Sequence, residues 1–336
     1  VAGEIVTRAS GMPWADFIET RIMQPLGMDQ CRATRDRLPS TLSEAQPYMV
    51  VDGAFTKTFY QKSQPMAPAG AIYCSVKGHA KWLMMQLNGG KLPDGTPLFS
   101  AARHKEMWTP VTLMSPNGLT APKYNEHFLT YGLGWQMSDM KGNLSVRYGG
   151  GLLGMVTYSL MLPEQNMAVS VNINSMNFGA MYSLVYEIVD AYLGVDNGDW
   201  IKTLETMVEA RNAHAKDVIA KAEANRPSAS GQPATDLPKY VGTYRDAWYG
   251  DVVVSQKSDD TLEIAFGRSP ILTGPLQHFQ NNTFVAYWND RTLEADAYVS
   301  FDTDFEGNIS GIKMKPVSPL TDFSFDFKHL DLKKVQ

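Results

Sequence analysis

The sequence predicts an α+β fold: an antiparallel sheet flanked by helices, followed by a small all-β, barrel-like domain. Three observations predict it. "NLSVRY" (143–148), "MVTYSLMLP" (155–163) and "MAVSVNINS" (167–175) alternate apolar and polar or β-branched residues. A glycine-rich bend and the polar turn "PEQN" separate them, which reads as an antiparallel meander. Next, "NFGAMYSLVYEIVDAYLG" sets Phe178, Met181, Leu184, Val185, Ile188, Val189 and Tyr192 at helical spacing, an apolar face for packing on that sheet. Beyond Leu237 the pattern changes to short strands between turn residues: "YVGTYRDAWYGDVVVSQ", "TLEIAFG", "TFVAYWND", "AYVSFDTD", "ISGIKMK" and "FSFDFKHL".

The earlier elements follow in order. The chain opens within an apolar helical pattern (Val1, Ile5, Val6, Ala9) that ends at Ser10-Gly11, with no initiator methionine, signal peptide or transit pattern, and it is expected to continue upstream. A second helix starts after Pro13 with Trp14, Phe17, Ile18 and Ile22 on one face. Residues 29 to 68 are polar and proline-rich, hence mostly loop. Val76 to Leu87 form a helix stopped by Gly89-Gly90, and a short helix lies around "SAARHKEMW". "LTYGLGWQM" opens the strand region. "WIKTLETMVEARNAHAKDVIAKAEANRP" is a charged, alanine-rich helix leading to the linker "PSASGQPATDLP".

Composition narrows the function classes. The 336 residues are 44% hydrophobic and 19% charged, with a formal net charge of −5, as in a globular protein with room for two domains. No basic cluster supports nucleic-acid binding, and no apolar run approaches membrane-spanning length. Cys31 and Cys74 lack metal-like spacing and suit buried apolar positions, with a disulfide between them left open. The histidines, among them His79, His104, His127, His214 and His278, form neither HxH nor HExxH, so no metal is expected.

Gly149-x-Gly151-x-x-Gly154 has the spacing of a dinucleotide fingerprint. The fingerprint needs a helix after it to receive the pyrophosphate, and "MVTYSLMLP" is a strand. No nucleotide or other cofactor is expected. The glycines mark a sharp bend or a close approach of backbone to something else.

"VAGEIVTRASGMPWADFIETRIMQPLGM", "APAGAIYCSVKGHAKWLMMQLNGG", "YGLGW" and "YGGGLLGMVTYSLMLPEQNMAVSVNINS" occur in an order that resembles the serine β-lactamase-like hydrolases: class C β-lactamases, penicillin-binding-protein-like peptidases and related esterases. "LPKYVGTYRDAWYGDVVV" looks like the β-barrel accessory domain appended to that family. The resemblance implies a β-lactamase/transpeptidase-like sheet, incomplete at its N-terminal side. It divides the chain into residues 1–197 (C-terminal part of the catalytic domain), 198–236 (helix and linker) and 237–336 (accessory domain). It also implies acyl transfer: a serine in S-x-x-K attacks an amide or ester, with the lysine and a Y-x-N tyrosine managing the proton.

By position Tyr148-Gly149-Gly150-Gly151 matches the family's third motif, K-T-G or H-x-G. The resemblance then implies that Gly151 N–H is an oxyanion-hole donor, that Tyr148 occupies the third-motif position, and that Gly149 and Gly150 let substrate lie against the strand. Tyr148 departs from the usual lysine, histidine or tryptophan and brings no cation to a substrate carboxylate. Family habit suggests the periplasm or the exterior.

S-x-x-K and Y-x-N in family context are not found. Ser138-Asp139-Met140-Lys141 is expected between two strands and Ser310-Gly311-Ile312-Lys313 within one, where an offset of three puts the two side chains on opposite faces. Tyr287-Trp288-Asn289 imitates Y-x-N in the accessory domain. All three are chance matches on this reading. The chain alone is expected to be inactive and to expose an apolar sheet edge, and the nucleophile to reside in a separate N-terminal chain, to have been trimmed away, or to have been lost. The first two are preferred because the core pattern is intact.

The expected function is therefore part of a serine acyl hydrolase acting on a small molecule or short peptide. The alternative is a non-catalytic, degenerate penicillin-binding-like binding protein. Gln61–Gly70 is a candidate loop at the site entrance, and Trp248, Tyr249, Tyr287 and Trp288 a candidate binding face, although strand aromatics are more often core.

Overall fold

Glycine and proline punctuate the first hundred residues, and the chain turns where they stand. The structure, a computed structural model, describes residues 1–61, 66–226, 233 and 236–335. Helix α1 (Ala2–Ser10) ends at Gly11, whose left-handed φ of 68° lets its N–H reach Thr7 C=O. The apolar face expected on α1 does not form. Val1 and Ile5 are exposed, and the buried residue is Gly3, where a Cβ would lie 2.0 Å from Pro68 Cγ. Helix α2 (Trp14–Ile18) follows Pro13 and continues into a π-helical turn, Glu19–Met23.

The segment expected as loop holds short pieces: β1 (Cys31–Arg32), the β2 (Tyr48–Val51) and β3 (Ala54–Lys57) hairpin, and α3 (Ala67–Gly70). Strand β1 pairs antiparallel with β4 (Tyr73–Cys74), which places Cys31 opposite Cys74 at a Cα–Cα distance of 4.1 Å, joined by a disulfide. Helix α4 (Val76–Leu87), N-capped by Ser75, carries Gly78 in its first turn. A Cβ there would lie 2.3 Å from Cys31 Sγ, so glycine's poor helix propensity is accepted to seat the disulfide.

After α5 (Ala101–Met107) the chain lays down β5 (Thr112–Met114), α6 (Thr120–Tyr124), β6 (Leu129–Tyr131), β7 (Gln136–Met140), β8 (Asn143–Leu152), β9 (Met155–Leu162) and β10 (Met167–Ile173). These six strands form one antiparallel sheet in the order β10-β9-β8-β7-β6-β5, the meander the alternation predicts. Helix α7 (Phe178–Leu193) covers one face. Its Met181, Val185, Tyr186 and Val189 pack with Val156, Tyr158, Leu160 and Val169 of the sheet. Leu184, Ile188 and Tyr192, expected on that apolar face, are exposed, because the contact stripe runs along the i, i+4 row through Met181. Helix α4 covers the other face, with Leu83 against Met137, Val146 and Met161.

Helix α8 (Trp200–Ala224) begins at a buried tryptophan whose Nε1–H donates to Asp190 at 2.7 Å, while Tyr124 Oη–H and Asn197 Nδ2–H donate to the same carboxylate.

The chain separates into two compact units, Val1–Val50 with Ala54–Glu205, and Val51–Gly53 with Thr206–Gln336. The second is built on a closed eight-stranded antiparallel barrel: β11 (Gly242–Asp246), β12 (Gly250–Ser258), β13 (Thr261–Phe266), β14 (Thr273–Gln280), β15 (Thr283–Ala286), β16 (Ala297–Thr303), β17 (Ile309–Pro316) and β18 (Leu332–Val335). Closure removes the sheet edges. Tyr240, Tyr244, Phe284 and Phe301 meet edge-to-face in its core. "FSFDFKHL", expected as a strand, is loop and a 3-10 turn (Phe327–His329), and the closing strand comes just after it. Pro275 disguised β14 in the sequence. Part of the linker (227–232, 234–235) lies outside the described residues.

Candidate functional site: the open edge of strand β8

Strand β8 runs on past the end of its neighbour β7. It pairs with β9 from Val146 to Leu152, but with β7 only from Asn143 to Arg147, where Gln136 is the last partner. The two-residue turns Lys141-Gly142 and Leu153-Gly154 set the phase of the ladder, because the residues flanking such a turn exchange both hydrogen bonds. Residues 143, 145 and 147 therefore bond to β7, and 146, 148, 150 and 152 to β9. The same alternation turns the N–H and C=O of Gly149 and Gly151 away from β9, toward the side that β7 has vacated. No strand among the described residues pairs with β8 there.

The structure thus brings together the four residues singled out from the sequence, Tyr148, Gly149, Gly150 and Gly151, as one stretch of half-paired strand. Each glycine has its own reason. At Gly149 a Cβ would lie 2.5 Å from Tyr158 Cδ2, so the Tyr158 ring occupies the side-chain space. At Gly151 a Cβ would meet Phe178 Cζ and Val156 Cγ1 at 3.3 Å each, tight but not forbidden. Gly154 has φ 77° in the hairpin turn and would strike Pro47 at 2.6 Å. At Gly150 a Cβ would meet nothing within 4 Å. Gly150 shares the α4 face with Tyr148, which is 44% exposed.

Beneath Gly149 lies a buried polar layer. Arg147 makes a two-pronged ion pair with Glu126, at 3.3 and 3.2 Å, with both side chains removed from solvent. Burial opposes the Arg147 cation, but the Glu126 carboxylate paired with it outweighs that cost, and the guanidinium holds its charge more firmly than usual. Burial pushes the Tyr158 hydroxyl up to about 12, so it stays protonated. On the opposite face Ser159, across from Tyr148, contacts Ser170 at 3.3 Å, and Ser170 contacts His79 Nδ1 at 3.1 Å. Burial lowers the His79 pKa and favours the neutral ring. Isolated in sequence, His79 is tied to the sheet in space. Tyr158 and Phe178 lie against Gly149 and Gly151, yet neither stood out as a site residue in the sequence, because their contacts are long-range.

The other candidates lie elsewhere. Ser138 is inside β7 and fully buried, not between strands as expected, while Lys141 is in the turn with φ 50°. Ser310 and Lys313 lie on β17 of the barrel. Neither pair has a serine one helical turn before its lysine. Trp288 of the Y-x-N imitation is core, its Nε1–H donating to Ala295 C=O at 2.6 Å. Of the proposed aromatic face Trp248 is exposed at a hairpin, Tyr287 is marginal and Trp288 is buried. Residues 62–65 of the entrance loop lie outside the described residues; Gly70, at its end, sits beside Leu152. Among the described residues no group of three or more His, Cys, Asp or Glu side chains could hold a metal ion, and no helix is long and apolar enough to cross a membrane.

Residues 1–191, more than half of the chain, match the family described as Beta-lactamase, and residues 226–334 match a domain of unknown function, DUF3471. No curated protein matches the sequence. The octameric penicillin-binding protein homologue from Pyrococcus abyssi superimposes with a TM-score of 0.50 at 17% identity, over 99% of this chain and 62% of that one. A D-stereospecific amidohydrolase from Streptomyces sp. (TM-score 0.41, 20% identity, 52% of this chain and 47% of that one) and a penicillin binding protein from Bacillus halodurans (0.43, 17%, 55% and 52%) are also similar, too loosely to support a conclusion. At these identities the likeness concerns the fold alone. The chain spans less than two thirds of the length of each of these proteins.

Proposed function

This chain belongs to the beta-lactamase family, and we propose that it is the sheet-and-barrel part of a serine acyl hydrolase that cleaves an amide or ester through an acyl-enzyme. The observation that supports the reading is the unpaired edge of β8, where Gly149 and Gly151 turn their N–H and C=O outward. An extended substrate can add to that edge as a strand would, bonding through its backbone. Gly151 N–H then donates to the reacting carbonyl oxygen and stabilises the oxyanion as it forms. One such donor is worth roughly 10²–10³ in rate. Tyr148 stands at the third-motif position with a hydroxyl to offer, and Gly149 and Gly150 leave the approach clear.

In this reading the chain contributes the third-motif strand and an oxyanion donor but not the acylating serine, since one S-x-x-K string runs from a strand into a turn and the other lies on a strand. A segment carrying S-x-x-K in a helix supplies the nucleophile, either upstream in the same protein or in a separate polypeptide. A fluorophosphonate serine probe with intact-mass readout tests this. Residues 1–336 alone stay unlabelled, and the complete protein takes up one probe, on that segment. Labelling at Ser138 or Ser310 overturns the division of labour. The same placement of both strings favours a second reading, a binding protein without catalysis. Ligand binding by the complete protein with no labelling establishes that one instead.

A further inference from the structure

We propose that Phe178 is a specificity-determining residue that selects an aromatic or bulky apolar side chain on the substrate residue paired with Gly151. The inference rests on the reading of the β8 edge as the substrate strand's partner, and it adds what that partner discriminates.

Cross-strand partners in an antiparallel ladder place their side chains on the same face. The residue that accepts the Gly151 N–H and pairs directly opposite it therefore projects toward the face on which Gly151 lacks a side chain. Phe178 stands there, its Cζ 3.3 Å from the position a Gly151 Cβ would take. It is the first residue of α7, behind Asn177, whose side chain accepts from Ala180 N–H at 2.9 Å and pins the helix start. Its ring stacks on Tyr182 at 6.5 Å, and Tyr182 meets Tyr158 edge-on at 5.0 Å. The aromatic row is thus anchored in the core at Tyr158 and ends, at Phe178, on a ring that keeps 36% of its surface exposed beside unpaired backbone.

On the opposite face a Cβ on Gly150 would meet nothing within 4 Å, so no side chain stands at that position as Phe178 stands at Gly151. Discrimination falls on the one residue opposite Gly151, the residue whose carbonyl would react.

Selective 15N-glycine labelling of the full chain, titrated with acetyl-Gly-Phe-Gly amide and with acetyl-Gly-Ala-Gly amide, tests the inference. The expected result is a shift of the Gly149 and Gly151 amides with both peptides and a Kd about tenfold lower for the phenylalanine peptide. Phe178→Ala abolishes the difference and Phe178→Leu retains part of it, while the remaining glycine signals report an intact fold. Equal Kd values for the two peptides, or a preference that survives Phe178→Ala, overturn the role of Phe178 and leave the edge reading standing. If neither peptide moves Gly149 or Gly151, the edge reading itself falls, and this inference with it.

Discussion

The two halves of β8 use one strand for opposite purposes. From Asn143 to Arg147 it is paired with β7, joined by β9 on its other side from Val146 onward, and Ser145, Val146 and Arg147 are buried. From Tyr148 to Leu152 it is bonded on one side, carries three glycines, and offers backbone to the outside. The buried half holds the strand in place so that the open half does not need side chains of its own. A ligand-ready edge of this kind is also a liability, as any unpaired edge is, and its shortness limits the hazard.

The comparison yields graded expectations. The largest effect belongs to the buried half. Glu126→Gln strands the Arg147 cation away from water and should cost about 3–5 kcal/mol of stability in chemical denaturation. The double variant Glu126→Leu/Arg147→Met removes both charges and should recover most of that loss. A double variant as unstable as the single one would mean that packing, not charge, holds this half.

At the boundary, Gly149→Ala forces a methyl group into the Tyr158 ring and should cost about 1–3 kcal/mol. The same substitution one residue on, Gly150→Ala, has room and should change stability by no more than about 0.5 kcal/mol. Its effect should appear in peptide binding at the β8 edge, measured by the same glycine-resolved titration. A Gly150 variant that unfolds like the Gly149 variant would show that the space at Gly150 is filled.

Much of this architecture was legible before any coordinates. Gly89-Gly90 stopped the pattern that begins at about Val76, so this helix could be read from the sequence. The alternation on either side of "PEQN" announced β9 and β10. The family resemblance drew attention to Tyr148–Gly151, which a spacing argument alone would have assigned to a nucleotide. Less was legible wherever two distant segments decide together. Cys31 and Cys74 were only a possible pair until β1 and β4 put them in register. Seven apolar residues on α7 shared a helical pattern, but the sheet contacts one stripe of them. The last barrel strand was misplaced because Phe323, Phe325 and Phe327 alternate like a strand while forming a connection.

The sequence by itself determined the periods, the turns and the kind of chemistry to look for, since strand alternation, helix spacing and glycine or proline punctuation act within a few residues of each position. Tertiary structure alone decided which glycine meets a ring, which meets open space, and where β7 stops alongside β8. Those outcomes depend on partners in other strands and helices. A hydrogen bond left unmade, such as the one Gly151 N–H holds out, is defined only by what does not come alongside it.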